Sequence, residues 1–295
     1  MHFLDIILKK RNGLSLKGEE IQFFVESYVK NEIPDYQVAA LLMAIWFAKM
    51  DDRETAELTF AMRDSGDVIN LSDIEGPIAD KHSTGGVADT TTLVVAPVVA
   101  ACGIKIAKMS GRGLGHTGGT IDKLESIPGF QTEISMDEFK KILTGCGLAV
   151  VGQTKQLVPA DKLLYALRDV TGTVDNVSLI ASSIMSKKLA SGADTILLDV
   201  KCGNGSFLKN QSDAELVAKS MVNIGKTAGK KTTAMVTDMN QPLGMAIGNA
   251  LEVHEAIQIL RGEIEGELKD VSTAIASNIL LSSGKFTERS KAETI

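Results

Sequence analysis

Ile78-Ala79-Asp80-Lys81-His82-Ser83-Thr84-Gly85-Gly86 starts as a strand-like run and ends as a loop of glycine, hydroxyl groups and cations. Three threonines at 90–92 then open an apolar helical pattern. A strand followed by a glycine-rich loop and a helix is the unit from which parallel α/β sheets are built. This stretch therefore predicts an α/β layer whose strand delivers a polar loop to the edge of a sheet.

The same rhythm of strand, loop and helix continues along the chain. Its strand-like segments lie at 78–81, 104–108, 149–151, 195–200 and 233–237. The helical patterns between them are long enough to cross over a parallel sheet. We therefore expect an α/β fold with a mainly parallel central sheet.

The N-terminal part of the chain has a different character, because only helical patterns appear before residue 66. These patterns lie at 3–11, 17–31, 35–49 and 52–65, and two more at 159–169 and 178–189 interrupt the later alternation. Packing of the interrupting helices against the first four would give a small all-helical domain that is discontinuous in sequence. The predicted domains are a helical one of 1–66 and 159–192, and a larger α/β one of 67–158 and 193–295.

Composition limits the classes of partner. The 295 residues are 44% hydrophobic and 23% charged, with a formal net charge of -6, so a sizeable core is expected and nothing global favours nucleic acid or an anionic membrane. No apolar run approaches the roughly 18 residues of a membrane span. The scattered cysteines, Cys102, Cys146 and Cys202, indicate reduced thiols in a cytoplasmic protein.

A second loop, Lys108–Thr120, follows the next predicted strand and is again rich in glycine, hydroxyls and cations. Both loops fall beyond the carboxyl ends of their strands, where open parallel sheets bind ligands. Backbone N–H groups exposed by glycine, together with Ser, Thr and Lys side chains, are typical of a phosphate site. One such loop alone is better explained by helix capping, but two together favour an anion site. Neither loop has the order of a nucleotide-triphosphate P-loop. The first hypothesis is an enzyme that acts on a phosphate.

A second polar group lies in the interrupting helices. Ser183 and Lys187 are four residues apart and share a helix face, while Arg168 lies on the preceding helix near Tyr165. Such side chains can hydrogen-bond the carbonyl and N–H edge of a planar polar ring. Charged residues of this kind are usually solvated on the surface, and composition and spacing alone do not overturn that interpretation for Arg168 and Lys187.

At this point several runs of sequence together resemble the thymidine and pyrimidine-nucleoside phosphorylases. The runs are Lys81–Thr92, Ser110–Glu125, Tyr165–Val170 and Ser182–Lys188, and the likeness extends from the N-terminus to about residue 260. Lys108 stands where the thymidine-restricted relatives tend to carry methionine, so the chain is most similar to the bacterial enzymes that accept both uridine and thymidine. The family continues well beyond residue 295, and the chain is therefore expected to lack the C-terminal part.

The resemblance implies a cytoplasmic homodimer active in nucleotide salvage, with the active site between a small helical and a large α/β domain. By this likeness, phosphate is bound by Lys81, Ser83, Thr92, Lys108, Ser110 and Thr120. The pyrimidine is bound by Tyr165, Arg168, Ser183 and Lys187. His82 faces the base as well, and His82, Arg168 and Lys187 carry the catalytic roles.

The resemblance also implies a structural potassium ion. Its ligands would come from the backbone of Ala88, from Thr90, from the carbonyls of Leu243 and Ala246, and from Glu255. Ala88 replaces the glycine of close relatives, and a carbonyl ligand survives that change unless the backbone there needs a positive φ. Inorganic phosphate is expected as co-substrate, with no organic cofactor. His2, His116 and His254 show no shared ligand spacing, so no catalytic zinc is expected.

The implied reaction is reversible phosphorolysis of uridine, thymidine and deoxyuridine to the free base and ribose or deoxyribose 1-phosphate. Two other classes stay open. A phosphoribosyltransferase related to anthranilate phosphoribosyltransferase would need magnesium-binding carboxylates, and Val200–Gly205 supplies none. A catalytically impaired, truncated module would only bind phosphate or nucleoside, or dimerise.

Overall fold

The structure is a computed structural model that describes residues 1–113, 117–154, 156–288 and 291–292. The strands are β1 (Ile78–Ser83), β2 (Lys105–Ser110), β3 (Leu148–Gly152), β4 (Thr195–Cys202) and β5 (Lys231–Asp238). The helices are α1 (Phe3–Arg11), α2 (Gly18–Val29), α3 (Asp35–Ala48), α4 (Asp52–Arg63), α5 (Thr91–Ala101), α6 (Thr120–Leu124), α7 (Met136–Cys146), α8 (Pro159–Thr171), α9 (Val177–Ala190), α10 (Gln211–Thr227), α11 (Asn249–Leu260) and α12 (Glu267–Ser282). No helix of the described residues is long and apolar enough to cross a membrane.

The strands form one sheet in the order β3-β2-β1-β4-β5, and every neighbouring pair is parallel. This confirms the predicted α/β fold with its parallel sheet. The register pairs Ser83 of β1 with Asp199 of β4, and Ser110 of β2 with Gly152 of β3. Because all five strands run the same way, their carboxyl ends and the loops that follow lie at one edge of the sheet.

The centre of the sheet is covered by apolar helices. Val95 and Val99 of α5 pack with Ile275 and Ile279 of α12 in one buried cluster that includes Leu197 of β4. β4 lies between β1 and β5 and is buried along nearly its whole length. Burial on both faces favours an apolar strand, so any charged residue in β4 must be matched by a partner.

The chain divides into two compact units. The first comprises Met1–Ile69, Lys155–Ala190 and Lys219–Gly229, and the second comprises Asn70–Thr154, Ser191–Ala218 and Lys230–Ile295. The first unit contains α1 to α4, α8 and α9, and it takes in the end of α10, which the sequence analysis assigns to the α/β part. The domain boundaries at 66, 158 and 192 stay predictions.

A buried ion pair joins α1 and α4 in the first unit. Glu54 is 1% exposed and accepts two hydrogen bonds from Lys10, at 2.8 and 2.9 Å. It also accepts from the backbone N–H of Leu16 at 2.7 Å and forms a capping box with Asp51. Every carboxylate oxygen thus has a partner, which a buried charge requires.

Candidate functional site

The carboxyl end of β1 carries Lys81, His82 and Ser83 in succession. Lys81 is buried, and its Nζ donates to Thr91 Oγ1 at 2.5 Å and lies 3.3 Å from Asp199 Oδ2. His82 and Ser83 are half-buried. The buried ammonium group is therefore held at the edge of the sheet by one hydroxyl group and one carboxylate.

Asp89, just before α5, joins Ser83 to the start of that helix. Its carboxylate accepts hydrogen bonds from the Ser83 hydroxyl and from Thr91 Oγ1, the latter at 2.6 Å. Burial alone would raise the pKa of Asp89, but the nearby Lys201 and Lys81 ammonium groups and these hydroxyl donors hold it well below its ordinary value. Asp89 is thus an ionised, enclosed carboxylate at the centre of the first glycine-rich loop.

The neighbouring strand β2 brings Lys108 and Ser110 to the same edge. Lys108 is buried; its Nζ donates to the Lys81 carbonyl oxygen at 2.5 Å and lies 3.9 Å from Asp80 Oδ1. The predicted phosphate ligands on β1 and β2 therefore come together around two buried lysines.

The remaining predicted phosphate ligands lie at helix starts. Thr92 is in the first turn of α5, and Thr120 is the first residue of α6. Residues 114–116 of the second loop, with His116, lie outside the described residues. We call the six predicted ligands the phosphate cluster: Lys81, Ser83, Thr92, Lys108, Ser110 and Thr120.

In the first unit, α8 and α9 bring the predicted pyrimidine ligands close to a carboxylate. Lys187 donates to Asp161 Oδ2 and to Ser183 Oγ, the latter at 3.1 Å. The Asp161 carboxylate also acts on Arg168, where it opposes the effect of burial on the guanidinium pKa. We call Tyr165, Arg168, Ser183 and Lys187 the base cluster.

Arg168 is buried, with 2% of its surface exposed, so its interpretation as a solvated surface charge was wrong. Its guanidinium donates to the carbonyl oxygens of Thr173 at 3.3 Å, Val174 at 2.6 Å and Leu179 at 3.1 Å. It lies 5.6 Å from the centre of the Tyr165 ring. Burial lowers the pKa of the guanidinium, yet an arginine stays charged at any ordinary pH. Three of its five N–H donors bind backbone carbonyl oxygens. The other two donate to none of the described residues and can bind a ligand.

The predicted potassium ligands lie around the loop that follows β5. Glu255 of α11 accepts hydrogen bonds from the N–H groups of Met245 and Ala246, at 2.7 and 3.1 Å. A methyl carbon at Gly244 would lie 2.5 Å from Glu255 Oε2 and 3.3 Å from the Ala88 carbonyl oxygen. Glycine therefore keeps a small space open beside two of the oxygen atoms predicted to bind potassium.

Ala88 has a φ of 51°, in the left-handed region where glycine is favoured. The backbone thus has the positive φ named above as the exception, and alanine adopts it at a cost of about 1 kcal/mol of backbone strain. The Ala88 carbonyl oxygen nevertheless lies beside Gly244. Thr90 is tied to a second buried acid, since its hydroxyl donates to Glu252 Oε2 at 2.7 Å, and Lys123 Nζ lies 2.6 Å from that oxygen. A hydroxyl that donates one hydrogen bond keeps lone pairs for a cation.

The acidic partners in these clusters were missed by sequence reasoning. They are Asp89, Asp161, Asp199 and Glu252, together with the cation Lys201. The sequence does contain a signal for the pairing of Asp199 and Lys201. Two charges at i and i+2 on a strand point to the same face, and a buried strand tolerates them only when their charges are compensated. Asp161 and Glu252 look like ordinary helix-surface residues, and Asp89 looks like an ordinary loop residue, until the fold is known.

Models of one protein family match two parts of this chain. Residues 4–66 match the helical bundle domain of the glycosyl transferase family, and residues 75–294 match its a/b domain. The fold is similar to that of anthranilate phosphoribosyltransferase from Thermus thermophilus, with a TM-score of 0.74 at 19% identity over 98% of this chain and 92% of that one.

Relatives of much higher identity are pyrimidine-nucleoside phosphorylases. That of Geobacillus stearothermophilus is 58% identical over 99% of this chain and 67% of its own length, and that of Bacillus subtilis (strain 168) is 59% identical over 95% and 65%. That of Staphylococcus aureus (strain MSSA476) is 57% identical over all of this chain and 68% of its own length. The chain spans about two thirds of the length of these relatives. It belongs to the glycosyl transferase family and, within that family, to the pyrimidine-nucleoside phosphorylases.

Proposed function

We propose that the chain carries out reversible phosphorolysis of pyrimidine nucleosides, giving the free base and ribose or deoxyribose 1-phosphate. The observation that carries the proposal is the pair of buried lysines, Lys81 and Lys108, at the carboxyl ends of adjacent parallel strands. The enzymes to which it is 57 to 59% identical bear the name of this reaction. Uridine, thymidine and deoxyuridine are the substrates we propose.

In the proposed mechanism the phosphate cluster binds inorganic phosphate and fixes its position. Lys81 and Lys108 supply positive charge, while hydroxyl groups and the N-terminal turn of α5 supply hydrogen-bond donors. A phosphate oxygen then attacks C1′ of the sugar, and the bond between C1′ and the base nitrogen breaks. The contribution of these residues is proximity and orientation, which is effective only for correctly placed reactants.

The base cluster acts on the leaving group. The electron pair of the broken bond leaves with the pyrimidine, so negative charge develops on its ring and carbonyl oxygens. Arg168 and Lys187 stabilise that charge more strongly in the transition state than in the bound nucleoside, which lowers the barrier. His82 donates a proton to the departing base. Ser183 and Tyr165 orient the ring.

The experiment that tests the function measures release of uracil and thymine from uridine and thymidine by the 295-residue chain, with and without inorganic phosphate. We expect release that requires phosphate and yields the sugar 1-phosphate in equal amount. A folded chain that binds phosphate by calorimetry but releases no base would show the binding module instead. Phosphate-independent release would identify a hydrolase and contradict the proposal.

We propose that potassium supports the active structure from the loop that follows β5. The residues fit the ion, since the Ala88 carbonyl and the Glu255 carboxylate meet beside Gly244, and oxygen atoms are the ligands that hard cations prefer. Thr90 and the carbonyls of Leu243 and Ala246 complete the proposed set. When bound, the ion supplies positive charge that holds the loop in place, and it takes no part in bond making.

Gly244→Ala is expected to remove the response to potassium. The added methyl carbon would lie 2.5 Å from Glu255 Oε2, far inside van der Waals contact, and must displace that carboxylate or the loop. We expect the melting temperature to stop rising with KCl, and the rate of base release to become the same in KCl and in choline chloride. Gly145→Ala is the control, because a methyl group there meets no atom within 4 Å. A Gly244→Ala chain with an unchanged potassium response would contradict this assignment.

We propose a homodimer that uses the first helical unit. On α3, Tyr36, Met43 and Phe47 lie along one face and are exposed, Tyr36 and Phe47 by 74% and 72%. Leu4 of α1 is exposed as well. An apolar stripe of this kind is typical of an interface rather than of a solvated face. Sedimentation equilibrium at micromolar concentration checks this, and a monomer would contradict it.

We propose that the chain works in the cytoplasm, as expected of nucleotide salvage. Cys102, Cys146 and Cys202 are free thiols, which suits a reducing compartment. Cell fractionation with an assay of phosphate-dependent base release checks the location, and recovery of the activity outside the cytoplasmic fraction would contradict it.

A further inference from the structure

Lys201 of β4 is a buried cation that neither the phosphate cluster nor the base cluster includes. Its side chain is fully buried, and its Nζ lies 2.9 Å from Asp199 Oδ2 and 3.9 Å from Asp89 Oδ1. Burial alone would lower the pKa of Lys201, but the two carboxylates hold it above its ordinary value. The side chain is therefore a permanent positive charge placed between two aspartates.

Both of these aspartates contact residues of the phosphate cluster. Asp199 lies 3.3 Å from the Lys81 ammonium group, so Lys81 and Lys201 share one carboxylate. Asp89 accepts the hydroxyl hydrogen of Ser83. A serine has one hydroxyl hydrogen, so Ser83 donates either to Asp89 or to a bound phosphate, but not to both. Asp89 thus competes with phosphate for the hydroxyl hydrogen of Ser83.

Among the described residues, the lysines and aspartates of this group are equal in number. The lysines are Lys81, Lys108 and Lys201, and the aspartates are Asp80, Asp89 and Asp199. Phosphate brings about two negative charges at neutral pH into an enclosed region, where charges interact more strongly than in water. Any change in the balance between Lys201 and Asp89 must therefore alter phosphate affinity, with a sign fixed by the charge removed.

We propose that Asp89 and Lys201 are a pair of positioning residues that sets the affinity of the phosphate cluster for inorganic phosphate, an inference that rests on the proposed function of that cluster. Asp89 weakens binding by its charge and by holding Ser83. Lys201 offsets Asp89 and keeps Asp199 from drawing Lys81 away from the ligand. Neither residue touches the base, so the affinity for nucleoside is independent of the pair.

The test compares Asp89→Asn, Lys201→Met and the double variant with the unaltered chain. Asparagine keeps the shape and an acceptor for Ser83 but removes the charge, so Asp89→Asn is expected to bind phosphate about threefold more tightly. Lys201→Met removes one ammonium group from Asp89 and Asp199, so both carboxylates then draw on Lys81, and the variant is expected to bind phosphate about tenfold more weakly. The double variant is expected to return to within about threefold of the unaltered chain, since the two changes share one network and are not additive.

Two readouts are used: calorimetric titration with inorganic phosphate alone, and the KM values for phosphate and for uridine. The KM for uridine is expected to stay within about twofold in all variants, a separation that a general structural defect would not produce. Lys231→Met, a change at an exposed lysine of β5, is the control for loss of a lysine. If Lys201→Met does not fold, as judged by its melting curve, the tighter binding of Asp89→Asn and the folding of the double variant remain to be measured.

The two proposals fail separately. If the chain releases no base but its variants follow the expected order of phosphate affinity, the inference about Asp89 and Lys201 holds and the proposed phosphorylase activity is refuted. A chain with phosphate-dependent release whose Asp89→Asn and Lys201→Met variants both bind phosphate more weakly refutes the inference alone. A double variant that binds no better than Lys201→Met, or a KM for uridine that rises with that for phosphate, overturns it as well.

Discussion

Lys81→Met is expected to lower kcat/KM for phosphate by about 100- to 1000-fold, the range found when a single preorganised hydrogen-bond donor is removed from an active site. Lys81 is buried, lies at the end of β1, and binds Thr91 at 2.5 Å. Methionine retains most of the length of the side chain and its apolar stem, so the change removes the ammonium group with little loss of packing. Initial rates of uracil release at varied phosphate concentration measure the effect.

The fold should survive this change. Asp199, the carboxylate beside Lys81, keeps Lys201 at 2.9 Å and the hydroxyl of Thr237 at 2.6 Å, so it is not left as an uncompensated buried charge. We expect the KM for uridine to stay within about twofold, because the role proposed for Lys81 is to bind phosphate and not the base. Lys231→Met should leave both constants unchanged. Equal loss of phosphate and uridine affinity in Lys81→Met would show that the lysine supports the structure rather than the ligand.

The sequence predicts the framework of this molecule well, because strand-forming runs and glycine-rich loops are local signals. The strand expected at 78–81 is β1 at Ile78–Ser83, and the helix expected at 35–49 is α3 at Asp35–Ala48. Parallel pairing then follows from the helices between the strands, since a crossover is the connection that parallel strands need. The position of the two polar loops at one edge of the sheet was predictable for the same reason.

The charged partners were not predictable in this way, because they depend on contacts between distant parts of the chain. Asp199 and Lys81 are far apart in sequence and meet only through the pairing of β1 with β4. Asp161 looks like an acidic residue in the first turn of a helix, where it would favour the helix dipole, yet it binds Lys187 of the next helix. Sequence patterns identify cations that suit a ligand but do not show which carboxylates hold them.

Arg168→Ala is expected to reduce kcat/KM for uridine at least about 100-fold and to lower the free energy of unfolding by about 2 to 4 kcal/mol. The first effect follows from the proposed role of Arg168, which is to place positive charge beside the departing base. The second follows because the carbonyl oxygens of Thr173, Val174 and Leu179 lose their donor in a buried site. The two effects are separable when rates are measured at a temperature where the melting curve shows the variant fully folded.

A conservative variant distinguishes charge from geometry. Arg168→Lys keeps the positive charge beside Asp161 but replaces the planar fork by one ammonium group, which cannot serve the three carbonyls and a ligand together. We therefore expect it to recover part of the lost stability while kcat/KM for uridine stays at least about tenfold low. The KM for phosphate should be unaffected in both variants, the opposite of the result expected for Lys81→Met.

Arg63→Ala is the matched control in the same unit. Arg63 lies at the end of α4 and pairs with Asp64, which is exposed, so its removal should change stability by less than about 1 kcal/mol and leave base release unaltered. If Arg168→Ala lowers stability but the folded variant releases uracil at the normal rate, the guanidinium has only a structural role, which is to hold residues 173–179 in place. The charge on the leaving base would then have to be stabilised by Lys187 and His82 without it.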